Sequence, residues 1–363
     1  MNSITKKTFF PALVLPVILW SGMLKAEVPR VVADIAPIHS LVAMVMEGVG
    51  EPQLLVPQNM SPHHYSMRPS EAKALQEANL VVYVGHDMSP WLEPLFETVA
   101  ASADALDLSE VDGVLVLSYR EGPVFDDHDD HEGHDHEKEG HDEHEEAGHD
   151  DHEGHEHEKE EHDDHEGHDH EKEGHDEHEE AGHDDHEGHD HGGNDPHMWL
   201  DPENAKIWLD TIASELGHID PENADRYAAN AKSAKQQITQ EMHRIEDRLN
   251  TVHGKGFLVF HDAYQYFENR FGIFATGSIS LGDASKPSSR RLQEIKHHFE
   301  EEGIHCVLSE PQYSSKLITS VFGGHKPHIG VVDPIGIDLK LGPGLYPQLL
   351  ANLALGIAEC VNH

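Results

Sequence analysis

Cysteine and positive charge are both scarce in this chain of 363 residues. Cys306 and Cys360 are the only cysteines, so the chain can form one internal bridge at most. Lys and Arg total 25 against 69 acidic residues, for a formal net charge of −44. No basic patch is present to meet a phosphate backbone, which excludes nucleic acid as a partner. Past the N-terminus, no apolar run is long enough to span a bilayer. The segment Asp126–His191 is more extreme and holds no Leu, Ile, Val or aromatic residue. It cannot bury a core, and a disordered insertion over 126–193 is expected.

That segment does contain 33 acidic residues, 3 lysines and 20 histidines. Residues 129–157 recur as 163–191, with Glu156 replaced by Asp190 as the one difference. A 34-residue period can mark a helical solenoid, but this composition denies it. His131, His134 and His136, with their repeats His165, His168 and His170, stand at His-x-x-His and His-x-His spacings. Such spacings offer transient metal sites among carboxylates that attract cations. Their affinity is expected to be modest, because ordering a flexible loop costs entropy. Outside this tract the hydrophobic fraction is roughly 44%, ordinary for a folded protein.

The N-terminus reads as a secretory signal peptide over residues 1–26. Lys6 and Lys7 form a basic start, Phe9 to Leu19 an apolar stretch, and Ala26 closes a short region before cleavage. No cysteine follows the cleavage site, so no lipid anchor is expected. The mature chain should be free in the periplasm, with no direct membrane insertion, and is expected to act as a monomer. In that oxidising compartment Cys306 and Cys360 favour a disulfide; two buried thiols are the other possibility.

On either side of the tract, short apolar runs alternate with amphipathic ones. The pattern predicts strands over 30–36, 53–56, 80–84 and 114–117, with helices over 37–48, 70–78 and 90–100. After the tract, Asp201-Pro202 opens a helix to about Leu216. A run with no Gly or Pro then follows Pro221 to about Val252, some 30 residues or a rod of about 45 Å. Alternation resumes with strands over 256–260, 273–276, 305–308 and 328–332, helices over 263–270, 288–302 and 314–322, and a last helix from Tyr346. The class is α/β: two Rossmann-like lobes joined by one long rigid helix. The expected division is a first lobe over 27–219, a linking helix over 220–253 and a second lobe over 254–363.

Four strings could carry chemistry: Pro62-His63-His64-Tyr65, Asp195-Pro196-His197-Met198-Trp199, Phe260-His261-Asp262 and Val332-Asp333-Pro334. His63 lies beyond the strand over 53–56, and His261 and Asp333 stand at the C-terminal ends of theirs, where open α/β sheets bind ligands. Singly, each also reads as an ordinary hydrogen-bonded histidine or a turn-capping aspartate. Together, His63, His197, His261 and Asp333 make a four-coordinate N/O set that suits zinc, with copper and nickel also compatible with imidazole. No His-Glu-x-x-His motif is present, and no enzyme is expected. His39, His86, His325 and His328 read as surface polar residues.

These strings, with Arg68-Pro69-Ser70, Leu200-Asp201-Pro202, Ala263-Tyr264 and Ile335-Gly336 beside them, resemble the metal-binding solute-binding proteins of ABC importers, most closely the periplasmic zinc-binding ZnuA type. The resemblance runs from about residue 30 to the C-terminus. It implies zinc held in the cleft between two lobes by His63, His197 and His261, with Asp333 at the position of a carboxylate near the metal. His261 stands where the manganese-binding relatives carry Glu. The resemblance also implies a His-rich insertion, a C-terminal disulfide matching Cys306 and Cys360, and zinc as transported ligand. The implied partners are a membrane permease and its cytoplasmic ATPase. Pro62 departs from members with Glu before the first histidine, so Asp333 or water must complete the shell. His64 could substitute for His63 by a loop shift. A storage or buffering protein for zinc or nickel, acting through the tract, is the alternative.

Overall fold

The computed structural model describes residues 27–63, 65–120, 122–125, 193–280, 287–313, 315–322 and 327–363. The expected signal peptide, His64, His325 and the tract histidines His131, His134, His136, His165, His168 and His170 lie outside these residues.

The first sheet has the order β2-β1-β3-β4, all parallel: β1 (Val31–Ala33), β2 (Gln53–Leu54), β3 (Leu80–Tyr83) and β4 (Asp104–Asp107). Its connecting helices are α1 (Ala36–Val45), α2 (Pro69–Glu77) and α3 (Glu93–Thr98). The second sheet has the order β6-β5-β7-β8, again parallel: β5 (Leu258–His261), β6 (Gly277–Ser280), β7 (Cys306–Ser309) and β8 (His328–Val331). Helices α6 (Gln265–Phe271), α7 (Ser289–Glu301) and α8 (Ser315–Phe322) connect these strands, and α9 (Leu345–Val361) follows. The architecture is α/β with two parallel-sheet lobes. In each sheet the second strand in chain order pairs on one side of the first and the third strand on the other. The crevice between those two neighbours opens at the strands' C-terminal ends.

Between the sheets run a 3-10 turn (Met198–Leu200), α4 (Pro202–Ile219) and α5 (Ala224–Leu249). Asp201 caps α4: its Oδ1 accepts from the Glu203 amide at 2.8 Å and from Arg270 Nε at 2.7 Å. Helix α5 has 26 residues, about 39 Å at 1.5 Å per residue. Tyr227, Ala231, Ala234, Ile238, Met242, Ile245 and Leu249 are its buried residues. Their steps of three and four put them on one stripe, which packs on α4, α9 and α1. Trp199, Trp208, Tyr227, Tyr266 and Tyr346 are fully buried in the same continuous core. At roughly 1.5–3 kcal/mol per large side chain, this core is the main force holding α1, α4, α5 and α9 together.

Some elements differ from the sequence expectation. The fourth strand is Asp104–Asp107, not 114–117. In the apolar 114–117 segment, side chains take up two of the backbone amides. Asn204 Oδ1 accepts from the Leu115 amide at 2.7 Å and Tyr266 Oη from the Leu117 amide at 2.8 Å. With those amides engaged, the segment joins no sheet. Strand β6 begins at Gly277, four residues after the expected 273, because Gly and Ser read as a turn while tertiary pairing makes them a strand. Helix α2 starts at Pro69 with Arg68 as its cap residue, whose amide donates to Glu71 Oε2 at 2.6 Å. His39 is buried rather than on the surface, its Nε2 at 3.1 Å from the Pro52 carbonyl.

Two links tie distant segments into the second lobe. Cys306 and Cys360 form a disulfide joining β7 to α9, with 5.4 Å between Cα atoms. Residues 123–125 lie antiparallel along the outer edge of β6: the Ser278 amide donates to the Pro123 carbonyl at 3.0 Å, and the Phe125 amide to the Thr276 carbonyl at 2.9 Å. A Cβ on Gly277 would stand 2.4 Å from the Pro123 oxygen, so this close crossing requires glycine.

Candidate metal centre

His63, His197 and His261 converge, each offering one nitrogen within 4.8 Å of the others. They form the one such group of three or more His, Cys, Asp or Glu side chains among the described residues. His261 closes β5 and His197 precedes the 3-10 turn; both are buried. His63 lies on the loop between β2 and α2 and is half-buried. Ring centroids stand 5.0 Å apart for His197 and His261, 5.5 Å for His63 and His197, and 6.3 Å for His63 and His261.

Two buried carboxylates orient two of the rings. His197 Nδ1 donates to Asp195 Oδ1 at 2.7 Å, and the His197 amide donates to the same oxygen at 3.0 Å. His261 Nδ1 donates to Glu310 Oε1 at 3.0 Å. An imidazole whose Nδ1–H is given to a carboxylate presents Nε2 as the ligating nitrogen, and with raised basicity. Glu310 directly follows β7, so it reaches His261 across the crevice between the adjacent strands β5 and β7. Burial pushes the Asp195 carboxyl up to about 6, against the opposing pull of the His197 amide and the Arg120 charge.

Arg120 links the segment before the tract to the acids near His261. Its guanidinium pairs with Asp262, next to His261, and its Nη1 donates to Glu268 Oε2 at 2.7 Å. It also stacks over the Phe125 ring, 3.9 Å from the centroid. One cation thus serves two buried acids in the second lobe from the segment that precedes the tract.

Asp333 does not join the histidine cluster. Its Oδ1 accepts from the Ile335 and Gly336 amides at 3.0 and 2.8 Å, and its Oδ2 from the Ile337 amide at 2.5 Å. It caps the turn after β8. In the first sheet Asp34 fills the equivalent crevice: its Oδ2 accepts from the Val84 amide at 2.9 Å and its Oδ1 from the Ile35 amide at 2.7 Å. His86, exposed, pairs with Glu93 at 3.0 Å. Sequence reasoning missed Glu310 as an orienting group. Its signal was an acid between a strand end and a proline, the same pattern that drew attention to Asp333.

Fold and site define a two-lobed α/β protein in which three histidine side chains converge. The family described as zinc-uptake complex component A, periplasmic, matches residues 31–360, and this chain belongs to that ZnuA family. Its members are transport components, not enzymes. The chain is similar to the high-affinity zinc uptake system protein ZnuA of Brucella suis biovar 1, at 42% identity over 93% of each chain. It is 30% identical to that of Yersinia pestis over 91% of each. Its fold matches the crystal structure of a zinc-bound ZnuA deletion mutant with TM-score 0.65 and 20% identity, covering 92% of this chain and 98% of the other. A manganese-bound solute-binding protein of Pseudomonas aeruginosa, FpvC, matches with TM-score 0.67 at 16% identity, covering 93% and 99%.

Proposed function

We propose that this chain captures zinc in the periplasm and delivers it to the permease of an ABC importer, with His63, His197 and His261 as ligands. The observation that carries the reading is the convergence of three imidazoles from three separate segments, two of them held by buried carboxylates. Membership of a zinc-uptake family supports it. Three nitrogens leave one position of a tetrahedral shell for water or a carboxylate. Asp333 already accepts three amides, so we assign it to the turn, with water as the fourth ligand. Neutral imidazoles with no carboxylate in the shell suit zinc better than manganese, which favours oxygen. The tract, Cys306–Cys360 and α5 have supporting parts: an auxiliary metal-collecting segment, a clamp on the second lobe and a stiff connection between lobes. Residues 1–26 serve as the export signal, and the chain acts as a monomer.

The test is calorimetric zinc titration of the full mature chain and of a form lacking residues 126–193, with manganese as competitor. One tight zinc per chain in both forms, undisturbed by manganese and lost in His261→Ala with circular dichroism unchanged, is the expected result. Tight binding retained in His261→Ala would overturn the ligand assignment. Tight binding that vanishes with the tract would make storage or buffering the better reading.

A further inference from the structure

His261 ends a strand and His197 directly precedes a 3-10 turn, and each has its ring held by a buried carboxylate. His63 sits on a loop and is the most exposed of the three. Its ring is also the one farthest from His261, at 6.3 Å between centroids. A tetrahedral zinc shell draws its nitrogens to about 3.3 Å of one another, given Zn–N bonds of about 2.0–2.1 Å. The adjustment that tightens or opens the site therefore falls on the His63 loop.

The side chains of Trp91 and Gln58 tether that loop. Trp91 Nε1 donates to the Pro62 carbonyl at 2.9 Å, within the first lobe. Gln58 spans to the second lobe, where its Nε2 donates to the Gly336 carbonyl at 2.6 Å and to the Leu339 carbonyl at 3.0 Å. The turn that offers these carbonyls is stiff, because Asp333 accepts from the amides of Ile335, Gly336 and Ile337. Both amide hydrogens of Gln58 are thus committed to a fixed catch five residues before the ligand.

We propose that Gln58 is a positioning residue that latches the His63 loop to the second lobe and sets the rate at which zinc leaves the site. The proposal rests on the reading of the three histidines as the zinc ligands. Release of the latch lets the loop carry His63 away from the other two rings, and zinc held by two imidazoles departs quickly. Zinc entry depends less on Gln58, because His197 and His261 stay in place.

The experiment uses the full mature chain loaded with zinc, mixed rapidly with an excess of a colour-forming chelator. Wild type, Gln58→Glu, Gln58→Lys, His63→Ala and His261→Ala are compared. Zinc on the tract leaves in the phase that His261→Ala retains, so the slow phase reports the cleft. Gln58→Glu keeps the shape but loses both hydrogens and sets a negative charge against two carbonyls. It should release the slow-phase zinc about tenfold faster, the scale of losing two hydrogen bonds. Gln58→Lys restores a donor and should return the rate toward wild type, while the unfolding midpoint of the zinc-free variants stays close to it. Wild-type release in Gln58→Glu, or Gln58→Lys as fast as Gln58→Glu, would overturn the latch. A slow phase that persists in His63→Ala would instead overturn the ligand assignment beneath it.

Discussion

At the scale of single residues, the site's behaviour depends on groups one step behind the three histidines. Asp195 and Glu310 fix the rings of His197 and His261, and orienting partners of this kind typically carry a 10- to 100-fold effect on metal affinity. Glu310→Gln should therefore keep one zinc per chain and weaken it by about that factor, read by competition with a chelator of known affinity. His261→Ala should abolish the site. Asp34 gives a second residue-scale prediction. Burial raises its carboxyl from 3.8 to about 7, despite the Val84 and Ile35 amides that pull the other way. The folded protein then holds a proton that the unfolded chain releases near pH 4. The stabilisation from this group is complete below pH 4 and is lost as pH rises through about 7. The Asp34→Asn variant has no such loss. Its unfolding free energy relative to wild type should rise between pH 4 and 8 by up to about 4 kcal/mol, measured by denaturant titration of the zinc-free proteins. A flat difference would show that Asp34 is not a buried proton holder.

At the scale of elements, two tethers stabilise the second lobe. The Cys306–Cys360 bridge closes a separation of 54 residues between β7 and α9. In the chain-entropy model its removal by paired Cys→Ser changes costs about 4 kcal/mol, seen as a lowered denaturation midpoint. The segment before the tract is held by Arg120, whose loss in Arg120→Ala strands Asp262 and Glu268 without their cation. Breaking a buried pair this way costs about 3–5 kcal/mol. Gly277→Val should act on the same segment from the other side, since a side chain there meets the Pro123 carbonyl. Two helices were readable at this scale: the run without Gly or Pro after Pro221 pointed to α5, and Asp201-Pro202 to the start of α4. Strand β4 was not readable, because Asp-Ala-Leu-Asp has no apolar alternation and becomes a strand through pairing with β3.

At the scale of the whole molecule, metal choice separates the readings. Zinc binding that manganese does not disturb, in the chain with and without residues 126–193, is the expected outcome for a delivery protein. No helix among the described residues is long and apolar enough to cross a membrane. A single monomeric species by light scattering, with zinc and without, is the expected solution state.

The sequence by itself determined what is local or countable. It shows alternating strand and helix patterns, an acidic tract without core-forming residues, a single possible cysteine pair and four chemistry-bearing strings. Tertiary structure decided which of those groups meet. Asp333 and the three histidines look alike as candidate ligands in the sequence, yet backbone amides occupy the aspartate while the histidines converge. Glu310 lies 49 residues from the ring it holds, and Gln58 lies 278 residues from Gly336. No periodicity records such pairs. Hydrophobic patterning specifies which face of an element is buried, whereas the order of strands in the sheet specifies which side chains share a crevice.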